Sequence, residues 1–299
     1  MELLQNTLAV GLYTALGYNV LGLELAFMVN AGIMIILGII AWLRLPKETL
    51  LKSGADAKKA NREVFEGMKV TLRLPEVWLA GAAGFAVYMA YTSLPFFLTY
   101  LDELHTLPIL AISVFGILST SGGRIAIAFP SGFIAERFFG GSAGGIRAGL
   151  CLVIILSTIM LVLSPSTGPW LAMLAMLGLA FLFFFMRALY FAPFGEMGVP
   201  PRFSGSVIAV AAFVIYLPSA FAYLLWGLIL DNYSGITGYK YLFGTLAVVA
   251  TIGALIAHRL KQKLDSGSAE KIANSIALID EHLSLEGQEK ALNKQMDEH

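Results

Sequence analysis

The chain has 299 residues, of which 58% are hydrophobic and only 13% charged, with a formal net charge of zero and a mean hydropathy of +0.76. Ordinary soluble domains carry about one-quarter charged residues, so a soluble globular fold is excluded and lipid must solvate much of the surface. Zero net charge leaves no bulk basicity for nucleic acid, and one cysteine, Cys151, cannot build an intrachain disulfide or a cysteine metal site.

A membrane-spanning helix needs roughly 20 mostly apolar residues. Candidate spans run over about 5–20, 24–43, 77–99, 107–131, 148–164, 169–192, 205–229 and 240–257. The fold class expected is therefore all-α, a polytopic membrane helical bundle of about eight helices. The first span is short and carries Gln5, Asn6, Thr7, Tyr13, Tyr18 and Asn19. The N-terminus lacks the positive region of a signal peptide. Pro95, Pro130 and Pro218 mark kinks or helix ends.

Lysine and arginine set the orientation. The segment after the second span holds Arg44, Lys47, Lys52, Lys58, Lys59, Arg62, Lys69 and Arg73. Later turns on that side hold Arg137, Arg147, Arg187 and Arg202, and the tail holds six more. The opposite side holds only Lys240, with Asp102, Glu103, His105 and Asp231. Positive residues accumulate on the cytoplasmic side, so both termini are expected inside. Residues 46–75 read as a charged cytoplasmic loop and 259–299 as a polar tail. In that tail Ile272, Ile276, Ile279 and Leu283 recur at helical spacing, fitting a surface helix or a partner-binding one.

Catalytic chemistry is not visible. All four histidines lie in loops, at a span end or in the tail, and neither a zinc-binding HExxH nor a phosphate-cradling GxxxxGK[ST] occurs. Ser119-Thr120-Ser121-Gly122 resembles an intramembrane protease motif only superficially, since serine needs a base to become nucleophilic. No enzyme, metal or cofactor is expected.

Two arginines stand inside apolar spans, where a charge costs roughly 2.5–3.5 kcal/mol on insertion scales. They are Arg124, in the fourth span, and Arg187, toward the inner end of the sixth. Two guanidinium groups at similar depth can hold an anion by paired hydrogen bonds; equally, each can snorkel or pair structurally, with Glu196 the nearest acid. Tyr88 and Tyr91 share one helix face, as do Tyr216 and Tyr223. They either line a polar cavity or pack with satisfied hydroxyls.

The stretch Gly132-Phe133-Ile134-Ala135-Glu136-Arg137-Phe138, read as a short cytoplasmic loop, resembles the G-x-x-x-D/E-R motif of major facilitator superfamily transporters. Glu136 stands where aspartate is usual, an extra Phe139 precedes Gly140, and the following basic pair is missing, which suits the degenerate second copy of that motif. The run from Arg187 through Glu196 and Pro200 to Tyr216-Leu217-Pro218 resembles a bacterial permease branch related to sugar-phosphate and nitrate carriers, with Ser219 where an aspartate is frequent.

The resemblance covers nearly the whole chain and implies a partial major facilitator fold, helices five to twelve. It implies two helices of an N-terminal half in 1–45, a central loop in 46–75, a six-helix C-terminal half in 76–258 and a tail in 259–299. It further implies alternating-access transport of a small anionic solute in a bacterial inner membrane, with a missing N-terminal half as partner beside the lipid bilayer. Candidate substrate contacts are Arg124, Arg187, Tyr88, Tyr91 and Tyr216. Candidate gating residues are Gly132, Glu136, Arg137 and Glu196. The alternative is a membrane fragment without transport activity.

The charge asymmetry generates a topology test. With single cysteines replacing Lys52 or Asp102 in a Cys151→Ser background, an impermeant thiol reagent should label position 102 in intact cells and position 52 only after permeabilisation. The reverse pattern would refute the orientation.

Overall fold

The computed structural model describes residues 20–44, 67–68, 72, 74–105, 107–199 and 201–267, with 270, 274, 278 and 281 singly. The first expected span, most of the 46–75 loop and nearly all of the tail, with Ile272, Ile276, Ile279 and Leu283, lie outside the described residues. Every described element is helical. Helix α1 covers Val20–Arg44. The described side chains along it are largely exposed, Trp42 at 84% and Met28 at 68%.

Six further helical stretches are long and apolar enough to cross a bilayer. The first comprises α2 (Pro75–Tyr91) and α3 (Pro95–His105). The second comprises α4 (Ile109–Ile117), a π turn (Leu118–Gly122) and α5 (Gly123–Phe139). The third is α6 (Ser142–Val162). The fourth comprises α7 (Pro169–Leu189) and α8 (Ala192–Glu196). The fifth comprises α9 (Pro201–Tyr216), a 3-10 turn (Leu217–Ala220) and α10 (Ala222–Asn232). The sixth is α11 (Ile236–Asp265).

Packing among the six repeats itself when the first three are exchanged with the last three. The third span lies against the sixth, and the first touches the fourth. The first packs on the sixth as the fourth packs on the third. The first meets the fifth as the fourth meets the second. The core between them is aliphatic and aromatic, with Phe97, Leu150, Met176, Phe183, Met186, Trp226 and Phe243 essentially inaccessible. Small residues allow close approach in lipid, where helices gain mainly from van der Waals contact. A Cβ on Gly253 would lie 2.5 Å from the Ala86 Cβ, and one on Gly84 would lie 2.6 Å from Ile215.

Four spans are interrupted, the first, second and fifth near their middles and the fourth toward its end, and two are not. In the first, Pro95 lacks the N–H that would continue the ladder, and α2 ends at Tyr91. The Thr92 and Ser93 hydroxyls donate to the Met89 and Ala90 carbonyls at 2.6 and 2.7 Å. The buried Trp226 indole N–H then donates to Thr92 Oγ1 at 2.9 Å, joining the first span to the fifth. In the second, Ser119 and Thr120 both donate back to the Gly116 carbonyl beside the π turn. Pro193 and Pro218 lie at the breaks of the fourth and fifth. The third and sixth run unbroken and contain no proline.

One expectation about the second of these spans is corrected. Gly132, Glu136 and Arg137 are not in a loop but inside α5, which runs to Phe139. Pro130 is absorbed within that helix and does not end it. The helix stops only at Gly140, whose φ of 65° gives the left-handed cap that favours glycine, and Gly141 N–H donates to the Ala135 carbonyl at 3.1 Å. The turn before α6 is so tight that a Cβ on Gly144 would lie 2.0 Å from the Phe139 carbonyl oxygen.

Two substitutions test this packing. Gly253→Ala should lower the thermal stability of the detergent-solubilised chain, by about 1–3 kcal/mol for an overpacked site, whereas Gly227→Ala, whose Cβ would meet nothing within 4 Å, should not. Thr92→Val should cost about 1–3 kcal/mol by stranding the buried Trp226 N–H, and adding Trp226→Phe should recover part of the loss. Equal melting of both glycine variants, or no recovery in the double variant, would count against these contacts.

Candidate functional site

Each break lies beside polar or aromatic side chains that converge on one cluster. Tyr91 closes α2, with Tyr88 one turn earlier. Arg124 lies in the first turn of α5, just past the π turn. Tyr190 caps α7, one turn after Arg187, and Tyr216 closes α9. These residues come from the first, second, fourth and fifth spans and meet.

Arg187 lies over the Tyr91 ring, its Cζ 4.0 Å from the centroid, and 5.6 Å from that of Tyr88. The separation of 4.0 Å is a close cation–π contact. Tyr88 and Tyr91 are 5.7 Å apart, and Tyr88 meets Tyr216 edge-on at 4.9 Å. The Tyr216 and Tyr190 hydroxyls are 2.9 Å apart, and Tyr190 also faces the Arg187 guanidinium. Phe184 links the second cation: Arg124 Cζ is 5.7 Å from its ring, which packs edge-on to Tyr91 at 5.9 Å.

One atom stands apart. Arg187 Nη1 is buried and has no hydrogen-bond partner. Among the described residues no carboxylate forms an ion pair with Arg187. Glu196, the nearest acid by sequence, is exposed and accepts instead from the Ser142 backbone N–H at 2.9 Å.

The structure thus brings together Tyr88, Tyr91, Arg187 and Tyr216, with Arg124 one ring away. Sequence reasoning missed Tyr190 and Phe184. Tyr190 lay near the expected end of a span, and Phe184 lay in a phenylalanine run taken as bulk. Spacing held a usable signal, since Arg187 and Tyr190 are three apart on one helical face.

The gating candidates lie elsewhere. Gly132, Glu136 and Arg137 are exposed on α5, and a Cβ on Gly132 would meet nothing within 4 Å. Among the described residues Glu136 and Arg137 form no ion pair. The charged contacts at this end belong to α11. Lys261 Nζ donates to the Gly140 carbonyl at 3.0 Å and pairs with Asp265 at 3.0 Å. Lys263 reaches Glu76 on α2 at 2.9 Å, and Arg147 lies 3.0 Å from His258 Nδ1.

Comparison with known proteins fits this architecture. The profile described as Major Facilitator Superfamily matches residues 5–223. The chain is 28% identical over 270 residues to Inner membrane protein YihN of Escherichia coli (strain K12), covering 89% of this chain and 63% of that one. It is 24% identical over 259 residues to Inner membrane protein YqcE of the same organism, covering 85% and 60%. The chain therefore spans less than two-thirds of the length of these relatives. Among solved structures, a bacterial homolog to the human lysosomal transporter Spinster, in an inward-facing and occupied conformation, superposes with a TM-score of 0.51 at 14% identity, covering 87% of this chain and 64% of that one. That likeness concerns the fold. The profile match spans most of the chain, the fold is a partial major facilitator helical bundle, and the chain is an integral membrane protein belonging to the major facilitator superfamily.

Proposed function

We propose that this chain contributes a six-span half to a secondary transporter that carries a small anion by alternating access. The observation that carries this reading is the buried Arg187 Nη1 without a hydrogen-bond partner. An unmet buried donor on a cation is costly, and a carboxylate or phosphate oxygen supplies what it lacks. The guanidinium lies over the Tyr91 ring, and its unpartnered Nη1 can donate to a carboxylate or phosphate oxygen. The tyrosine hydroxyls beside it offer neutral hydrogen bonds to the rest of the solute.

Residues 76–258 are assigned as the C-terminal half, 46–75 as the central loop, 1–45 as the remainder of an N-terminal half and 259–299 as the tail. A further N-terminal segment, in the same polypeptide or another, is the proposed partner across the site. The bacterial inner membrane, with both termini cytoplasmic, is the proposed location; the positive-charge bias and the names of the two Escherichia coli relatives support it.

The test measures binding of an organic phosphate, an organic carboxylate and a neutral isostere of each to the purified transporter, with uptake into proteoliposomes. Arg187→Ala should weaken anion binding by about tenfold or more, as loss of a charge-assisted pair does. Arg187→Lys should recover only part of it, because a point charge replaces the planar fork. Arg124→Ala should also weaken binding. Equal affinity for the anion and its neutral isostere, or wild-type uptake in both alanine variants, would rule the reading out.

A further inference from the structure

We infer that the cleft between the end of α6 and the first turns of α11 is a binding site for one anionic glycerophospholipid. This cleft has a volume of about 620 Å³, and it lies at the opposite end of the bundle from the charged contacts of Lys261 and Lys263. Thr237, Lys240, Tyr241, Gly244 and Val248 recur at helical spacing along one face of α11, and Leu161 of α6 forms the facing wall.

The cleft grades from polar to apolar along the helix. Thr237 and Lys240 lie near the helix start, where α6 is ending and the bilayer interface must fall. Gly244 and Val248 continue one and two turns deeper. Gly244 keeps the lower part open, since a Cβ there would come no nearer than 3.8 Å to Leu161. Val248 is 59% exposed and Tyr241 is 51% exposed, so the trough opens sideways toward lipid. The Tyr241 ring rests on Tyr233 at 4.4 Å, which steadies one lip.

Charge selects the occupant. Lys240 is exposed and forms no ion pair among the described residues. It is also the single lysine or arginine that the charge distribution leaves on this side. The nearby Glu103 carboxylate is engaged, accepting from the Tyr239 hydroxyl at 3.0 Å. An unpaired ammonium above an apolar trough matches a phosphate above an acyl chain, with the Thr237 hydroxyl able to donate to the same headgroup. A headgroup bearing its own ammonium gains less, because that cation meets Lys240 at close range.

Native mass spectrometry of the detergent-purified chain, given equimolar phosphatidylglycerol and phosphatidylcholine, tests the assignment. The wild-type chain should retain phosphatidylglycerol over phosphatidylcholine by about fivefold, the value of one surface lysine. Lys240→Arg should keep the preference and Lys240→Gln should erase it, both remaining monodisperse because the position is exposed. Gly244→Leu should reduce both adducts by filling the trough while leaving the charge intact. Equal retention of the two lipids by the wild-type chain, or an undiminished preference in Lys240→Gln, overturns the inference. So does displacement of phosphatidylglycerol by millimolar inorganic phosphate, which would mark a site for a free anion and not for a lipid. Solute binding at Arg187 is measured separately, so either reading can fail alone.

Discussion

A guanidinium group inside a membrane-spanning helix must find compensation close by, because lipid offers none. Here the tyrosine surface around Arg187 supplies part of it, with the Tyr91 ring 4.0 Å from Cζ. That contact exists because α2 stops at Tyr91 and the ring is left facing inward. The stop in turn depends on Pro95 and on the hydroxyls of Thr92 and Ser93, which satisfy backbone carbonyls as the ladder is interrupted. Thr92 is itself held by the Trp226 N–H. The position of one cation thus rests on a chain of polar contacts that reaches from the first span to the fifth.

Much of this was legible in the amino-acid sequence, and the reasons are physical. Apolar run length is a direct consequence of bilayer thickness, so the six described spans stand where hydropathy places them. Their ends were less legible: α5 continues past Gly132 and Glu136 because helices outlast the hydrocarbon layer, and polarity alone does not stop them. The arginines were visible as lone cations in apolar runs. Tyr190 was not, because a tyrosine near a span end looks like an interfacial anchor. The π turn was invisible, since Ser119, Thr120 and Gly122 are ordinary residues in packed membrane helices. The breaks at Pro95 and Pro218 were readable from the prolines themselves, whereas Pro130 lies inside α5 without ending it.

The charged contacts at the Gly140 end have a different character. Lys261, Lys263, Arg147 and Glu196 each join elements far apart in sequence, through short polar links. Exposed ion pairs add little stability, about 0–1 kcal/mol each. Their value lies in register. Lys261 fixes the end of α11 against the glycine turn, Glu196 fixes α8 against the start of α6, and Lys263 ties the same helix end to α2. Together they set how the six spans line up where the chain leaves the hydrocarbon.

The unbroken third and sixth spans have a mechanical consequence. Bending a continuous helix stretches its whole hydrogen-bond ladder, whereas a proline or π turn has already given up the bonds that resist. Stiffness is therefore distributed unevenly across the bundle. α6 and α11, packed on each other, form a keel that holds its shape, and compliance is gathered into the four spans that carry Arg124, Arg187 and the tyrosines. Because the breaks come in pairs related by exchange of the two repeats, flexure in one repeat has a counterpart in the other. The cluster sits where the two compliant sets meet, so small curvature changes on either side alter the spacing between its cations and rings while the keel stays fixed in the membrane.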